Sequence, residues 1–176
     1  MMRIRYIFAF CALTLAFAAL AMVVLNRGGG DAPDDGERAA IRSAELEGYF
    51  EQMSAINKKS DKQFEKTVFV DQESARAYAD AFDSVLAMLE AEYGKVIPPS
   101  ELTEEHEALI KAIKDYRVGI DHGLRPLDLD APAAEFETLF GDVLADEDLR
   151  VSSAFCKIQE IATAEGIIAD VGCQQT

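Results

Sequence analysis

The 176-residue sequence has no tryptophan, two histidines, three cysteines and five prolines. Two histidines, His106 and His122, leave little material for chemistry that needs a histidine cluster. Thr103 stands three residues before His106 and Gly119 three before His122, so the Glu-x-x-His pairs of a bundle di-iron centre are missing. No second histidine completes a zinc motif around Glu104-Glu105-His106-Glu107. No G-x-S-x-G, Walker or twelve-residue calcium-loop pattern occurs either. Basic residues are also scarce: 17 Lys and Arg stand against 32 Asp and Glu. All the acids lie after Gly30, and only Arg3, Arg5 and Arg27 precede it, so residues 31–176 carry a balance of −18. That excludes the basic footprint of a nucleic-acid binder and opposes docking on an anionic bilayer surface. It suits a solvated, self-repelling surface or a basic protein partner. Glycine and proline are few while 49% of the residues are hydrophobic, so most of the chain is expected to fold.

The longest apolar stretch comes first. Residues 1–5 are short and basic, and residues 6–26 hold no charge. Twenty helical residues span about 30 Å, the thickness of a bilayer core. Arg3 and Arg5 outweigh Arg27, which places the N-terminus in the cytoplasm and the acidic part across the membrane. A cleaved signal peptide is the rival reading, since Ala19-Leu20-Ala21 resembles a processing site. Met22 to Leu25 continue the apolar run beyond that site, which favours an uncleaved single-pass anchor in the cytoplasmic or inner membrane. Cleavage after Ala21 would instead release a secreted domain. Cys11 fits as an apolar filler of this segment. Residues 27–36, rich in Gly and Asp, read as a flexible linker. No strand precedes these glycines and no Lys-Ser/Thr follows them, so they are not a phosphate cradle.

Residues 37–173 read as one extracytoplasmic acidic domain, with 174–176 as a tail. Ile41, Glu45, Tyr49, Met53, Ile56, Ser60 and Phe64 recur at threes and fours, which predicts a long first helix capped by Asp34 or Asp35. Thr67 to Val70 favours β structure but has no partner strand. A second helix, entered near Asp71 to Ser74, carries Tyr78, Phe82, Val85, Leu86, Leu89 and Tyr93, and Gly94 with Pro98-Pro99 ends it. The third is capped by Ser100 or Thr103 and carries Leu102, His106, Leu109, Ile113, Tyr116 and Ile120. The fourth starts near Asp130 to Pro132. It meets a charged interruption at Asp146 to Asp148, read as a kink or short loop, and resumes through Phe155, Ile158 and Ile161. Four amphipathic helices with short links predict an all-α, antiparallel up-down four-helix bundle.

Cys156 and Cys173 lie seventeen residues apart. On one straight helix they would be about 25 Å apart, whereas a disulfide needs Cα atoms within about 7 Å. They can pair only if the helix stops near Gly166 and the chain returns. If the helix runs on to Asp170, Cys173 stays free to pair between chains. Neither C-x-x-C redox nor haem spacing is present.

His106 lies on the apolar stripe beside Glu104, Glu105 and Glu107, so it is either a satisfied core histidine or the weak centre of a metal site. His122 falls at a helix end, where the dipole favours it. The acids at Asp128, Asp130, Asp142 and Asp146 to Asp148 read as a solvated rim. No catalytic residue, cofactor or firm metal set is assigned. The leading expectation is a non-catalytic, membrane-anchored bundle for protein interaction or assembly. Its partners would be a basic or membrane-embedded protein, or further copies of itself. A second is a ligand-binding or sensory bundle with an inter-helix pocket lined by Tyr49, Tyr78, Phe82 and Tyr116. A third is a metal-dependent enzyme or metal carrier centred on His106.

Overall fold

A computed structural model describes residues 34–67, 74–124 and 133–173. The expected anchor at 6–26, the linker up to residue 33, the run at 68–70, the break at Pro126, the helix start at 130–132 and the tail at 174–176 lie outside the described residues. Among the described residues no helix is long and apolar enough to cross a membrane. They form four α-helices and no strand: α1 Asp35–Thr67, α2 Ala75–Tyr93, α3 Thr103–Gly119 and α4 Ala133–Ala164. A 3-10 turn, Ser100–Leu102, leads into α3, and a π-helical turn, Ile120–Leu124, follows it. The architecture is an all-α four-helix bundle. The chain divides into two units, Met1–Ala39 and Ala40–Thr176. In the first, Asp34 caps α1, its Oδ1 accepting the Glu37 N–H at 2.8 Å. The second unit holds the core.

The helices bury the stripes their periodicity defines. In α1, Leu46, Tyr49, Phe50, Met53 and Ile56 are buried along one face. They meet Leu86, Leu89 and Tyr93 of α2, Leu109, Ile113 and Tyr116 of α3, and Leu144, Phe155, Ile158 and Ala162 of α4 in one cluster. Each such side chain contributes about 1.5–3 kcal/mol by leaving water. That burial, rather than helix propensity, holds a long and mostly polar helix such as α1 in place. Ring contacts mark the seams. Phe64 of α1 lies 5.3 Å from Phe82 of α2, Phe82 lies 5.5 Å from Tyr116 of α3, and Tyr93 of α2 lies 6.0 Å from Phe155 of α4.

The helix ends follow local chemistry, with two departures from expectation. Ser74 caps α2, its Oγ accepting the Ala77 N–H at 3.3 Å. The start of α3 has no side-chain cap. Thr103 Oγ1 donates back to the Pro99 carbonyl at 3.3 Å, because the 3-10 turn already opens the helix with Leu102 N–H on the same carbonyl. The second departure is in α4, which runs through Asp146 to Asp148 without a break. Asp146 and Asp148 face outward there, and Leu144, Val151, Phe155 and Ile158 keep the inward period.

The end of α4 sets the shape of everything after it. Gly166 has φ +72°, Ile167 N–H reaches the Ala162 carbonyl at 2.8 Å, and Gly166 N–H reaches the Thr163 carbonyl at 3.1 Å. These are the paired bonds of a Schellman stop. The chain then turns back along α4. Gln159 Oε1 accepts the Val171 N–H at 3.1 Å, Ser54 Oγ donates to the Asp170 carbonyl at 2.7 Å, and Val171 is fully buried. Cys156 and Cys173 close the return with a disulfide, their Cα atoms 4.5 Å apart.

Removing this bond should be costly because it closes a seventeen-residue span. Replacing both cysteines by serine should lower unfolding free energy by about 2–4 kcal/mol. Gly166→Ala, which meets nothing within 4 Å and is opposed only by its backbone angle, should lower it by about 1–2 kcal/mol. Urea titrations of both variants beside the unmodified chain check this. Stability unchanged in Gly166→Ala would show that the turn tolerates an L side chain.

Candidate functional site

Of the four residues expected to line one pocket, Phe82 and Tyr116 share a cleft among the described residues, and Tyr49 and Tyr78 do not line it. Tyr49 goes inward, 1% exposed, and joins His106. Its hydroxyl stands 3.1 Å from His106 Nδ1, and His106 Nε2 stands 3.1 Å from the Tyr93 carbonyl. A carbonyl can only accept, so Nε2 carries the proton and donates. Nδ1 then accepts from the Tyr49 hydroxyl. The imidazole is neutral, 3% exposed, and has both nitrogens engaged by protein groups. The Tyr93 carbonyl belongs to the last turn of α2, where no helical partner remains, and it also accepts Val96 N–H at 3.0 Å. One histidine thus ties α1, α2 and α3 together. The Tyr93 hydroxyl extends the chain of bonds by donating to Asn57 Oδ1. Asn57 Nδ2, buried, has no hydrogen-bond partner among the described residues.

Burial pushes the His106 pKa down, against smaller upward effects of the Tyr93 carbonyl and Glu107. Burial likewise pushes the Tyr49 and Tyr93 hydroxyls well above their ordinary range. All three groups are therefore neutral at pH 7. His122, by contrast, is exposed on the turn after α3. Among the described residues no three His, Cys, Asp or Glu side chains converge on a point that could hold a metal ion.

Phe82 and Tyr116 face a different space. They line a cleft of about 450 Å³ together with Phe64, Leu86, Leu89 and Phe155. Tyr78 stacks on Phe82 at 6.5 Å with nearly parallel rings and is not part of the lining. Asp61, Asp148 and Asp170 stand at the cleft, with Lys58 as the one cation among the described residues. The returning tail forms one wall through Asp170, Gly172 and Cys173. Phe64 and Phe155 were on the expected stripes and could have been grouped with Phe82 had the helix azimuths been known. The tail wall could be foreseen only through the disulfide. Two further grooves are lined mostly by charged residues and small side chains. One is between Glu104–Asp115 and Leu149–Lys157, about 470 Å³; the other lies between α1 and the tail, about 650 Å³.

At one end of the bundle, Arg42 of α1 pairs with Glu101 at 2.6 Å and with Glu165 at 2.8 Å. The turn before α3 and the end of α4 are thereby brought to the same place. Ile97, four residues before Glu101, and Ile168, three after Glu165, are 87% and 105% exposed. Towards the other end, Arg117 of α3 donates to Asp83 at 2.9 Å and Glu90 at 2.7 Å of α2. No family model matches the chain, and neither a curated protein nor a solved structure shows significant similarity to it.

The buried network makes a pH dependence with a definite sign. The folded-state pKa of His106 lies below the unfolded value, so its contribution is complete above about pH 6.5 and is lost as pH falls through the depressed value. Stability measured by urea should fall as pH drops below about 6.5, and this slope should flatten in His106→Leu. The lowered pKa values of Glu92 and Glu101 act only at more acidic pH. Tyr49→Phe leaves Nδ1 without its donor and should lower stability by about 1–3 kcal/mol at pH 7. An equal pH slope in wild type and His106→Leu would rule out this histidine as its source.

Proposed function

We propose that this chain is a non-catalytic, membrane-anchored protein whose acidic helical bundle acts outside the cytoplasmic membrane in protein interaction or assembly. The apolar segment at 6–26 would anchor it with the N-terminus inside. The disulfide supports export, because such bonds persist in oxidising compartments. An antiparallel up-down order is part of the same reading. Tyr93 meets the region of Asn57 and Phe82 that of Phe64, as antiparallel α1 and α2 require. Arg42 with Glu101 and Tyr49 with His106 fit a parallel α1 and α3.

The observation that carries the interaction reading is the pair Ile97 and Ile168. Two large apolar side chains stand almost wholly in water, each within four residues of an acid that Arg42 pairs with. A partner with an apolar contact and surrounding basic groups would cover them and answer the −18 balance of residues 31–176. A second reading, small-ligand binding, draws its support from the aromatic cleft at Phe82 and Tyr116.

Photo-crosslinkers placed at Ile97 and at Ile168 in the full chain, in its native membrane, should capture one and the same protein. Yield should fall as salt rises from about 50 to about 500 mM. A probe at exposed Ser153 is the control. No product, or the same products from Ser153, would sink the interaction reading. Intact mass from the same membranes should retain residues 1–21, and loss after Ala21 would overturn the anchor.

A further inference from the structure

The cleft at Phe82 has a chemistry that selects among ligands. Its floor is aromatic: Phe64 and Phe82 are half-buried, and Tyr116 and Phe155 lie beneath. Phe82 is close to both Phe64 and Tyr116, at 5.3 and 5.5 Å, so the rings form one continuous surface. An aromatic face carries the negative side of its quadrupole outward. Asp61, Asp148 and Asp170 add three carboxylates against the single ammonium of Lys58. The charge balance of the cleft therefore repels an anion and favours a cation, and any ring that turns its face to the cleft adds to that preference.

A bare divalent ion does not fit this arrangement. Such an ion needs several oxygen ligands drawn to one point. The described residues hold no convergent group of three acids, histidines or cysteines. The volume, about 450 Å³, is that of a small-molecule site rather than an ion cage. A diffuse positive charge on an apolar body satisfies both features: it gains from the ring faces without demanding close carboxylate ligation. We infer that the Phe64–Phe82–Tyr116–Phe155 cleft, rimmed by Asp61, Asp148 and Asp170, binds a small organic cation of the quaternary-ammonium class. This inference rests on the ligand-binding reading of the same cleft and adds the ligand's charge and class.

The test compares two isosteres by titration calorimetry on the full chain in a neutral maltoside micelle. Choline carries the charge, and 3,3-dimethyl-1-butanol has the same shape without it. Choline should bind saturably, and the neutral alcohol about tenfold more weakly or less. Phe82→Leu combined with Asp148→Asn should reduce choline affinity several-fold. Equal affinity for the two probes would overturn the cation inference while leaving the cleft a ligand site. Binding of neither up to about 10 mM would overturn both. A choline preference untouched by the double variant would show that the cation binds elsewhere and also overturn the inference. The isostere comparison is made on the unmodified chain, so it stands even where the double variant does not fold.

Discussion

The reversal of the chain at Gly166 is the constraint on which the lower half of the bundle depends. An α-helix that continued past Ala164 would carry Cys173 away from Cys156 at about 1.5 Å per residue. The left-handed backbone at Gly166 ends that drift and redirects six residues along α4. Val171 then enters the core, Asp170 reaches Ser54 of α1, and the disulfide holds the return. The aromatic cleft owes its wall to this path. Stability and site geometry thus share one local cause.

A second tie works at the opposite scale. His106 is a polar group in an apolar cluster, which is costly unless both ring nitrogens are answered. They are answered from two different helices, by Tyr49 and by the Tyr93 carbonyl. Hydrophobic stripes can slide against one another with little penalty. A buried imidazole with two fixed partners cannot, so it sets the height of α1, α2 and α3 relative to each other. The surface ion pairs contribute less. Arg42 is largely exposed, and its role is to mark where three segments meet.

Much of this fold was legible in the amino-acid order. The threes-and-fours spacing from Leu46 to Ile56 and from Leu109 to Tyr116 marks faces that are buried. The cysteine spacing together with Gly166 made a helix stop the condition for pairing, and the stop is there. The grouping of Tyr49, Tyr78, Phe82 and Tyr116 was not legible. Periodicity says which face of a helix is apolar but not which neighbour each ring meets. Tyr49, about four turns nearer the Arg42 end of α1 than Phe64, therefore finds His106 rather than Phe82. Asp146 to Asp148 misled for a related reason. A charge run reads as an interruption until one knows that its outward members fall on the solvent side of an unbroken helix.

The buried phenols also bound the molecule on the alkaline side. Tyr49, Tyr93 and Tyr116 are held neutral, chiefly by desolvation. In the unfolded chain each would ionise near pH 10. Folding is therefore unaffected by these groups below that point. Above it, the unfolded state sheds protons that the native state retains, and base draws the equilibrium toward unfolding. Hydroxide becomes a denaturant acting through the same rings that pack the core, and the phenolate absorbance of these three rings appears only with the loss of the bundle.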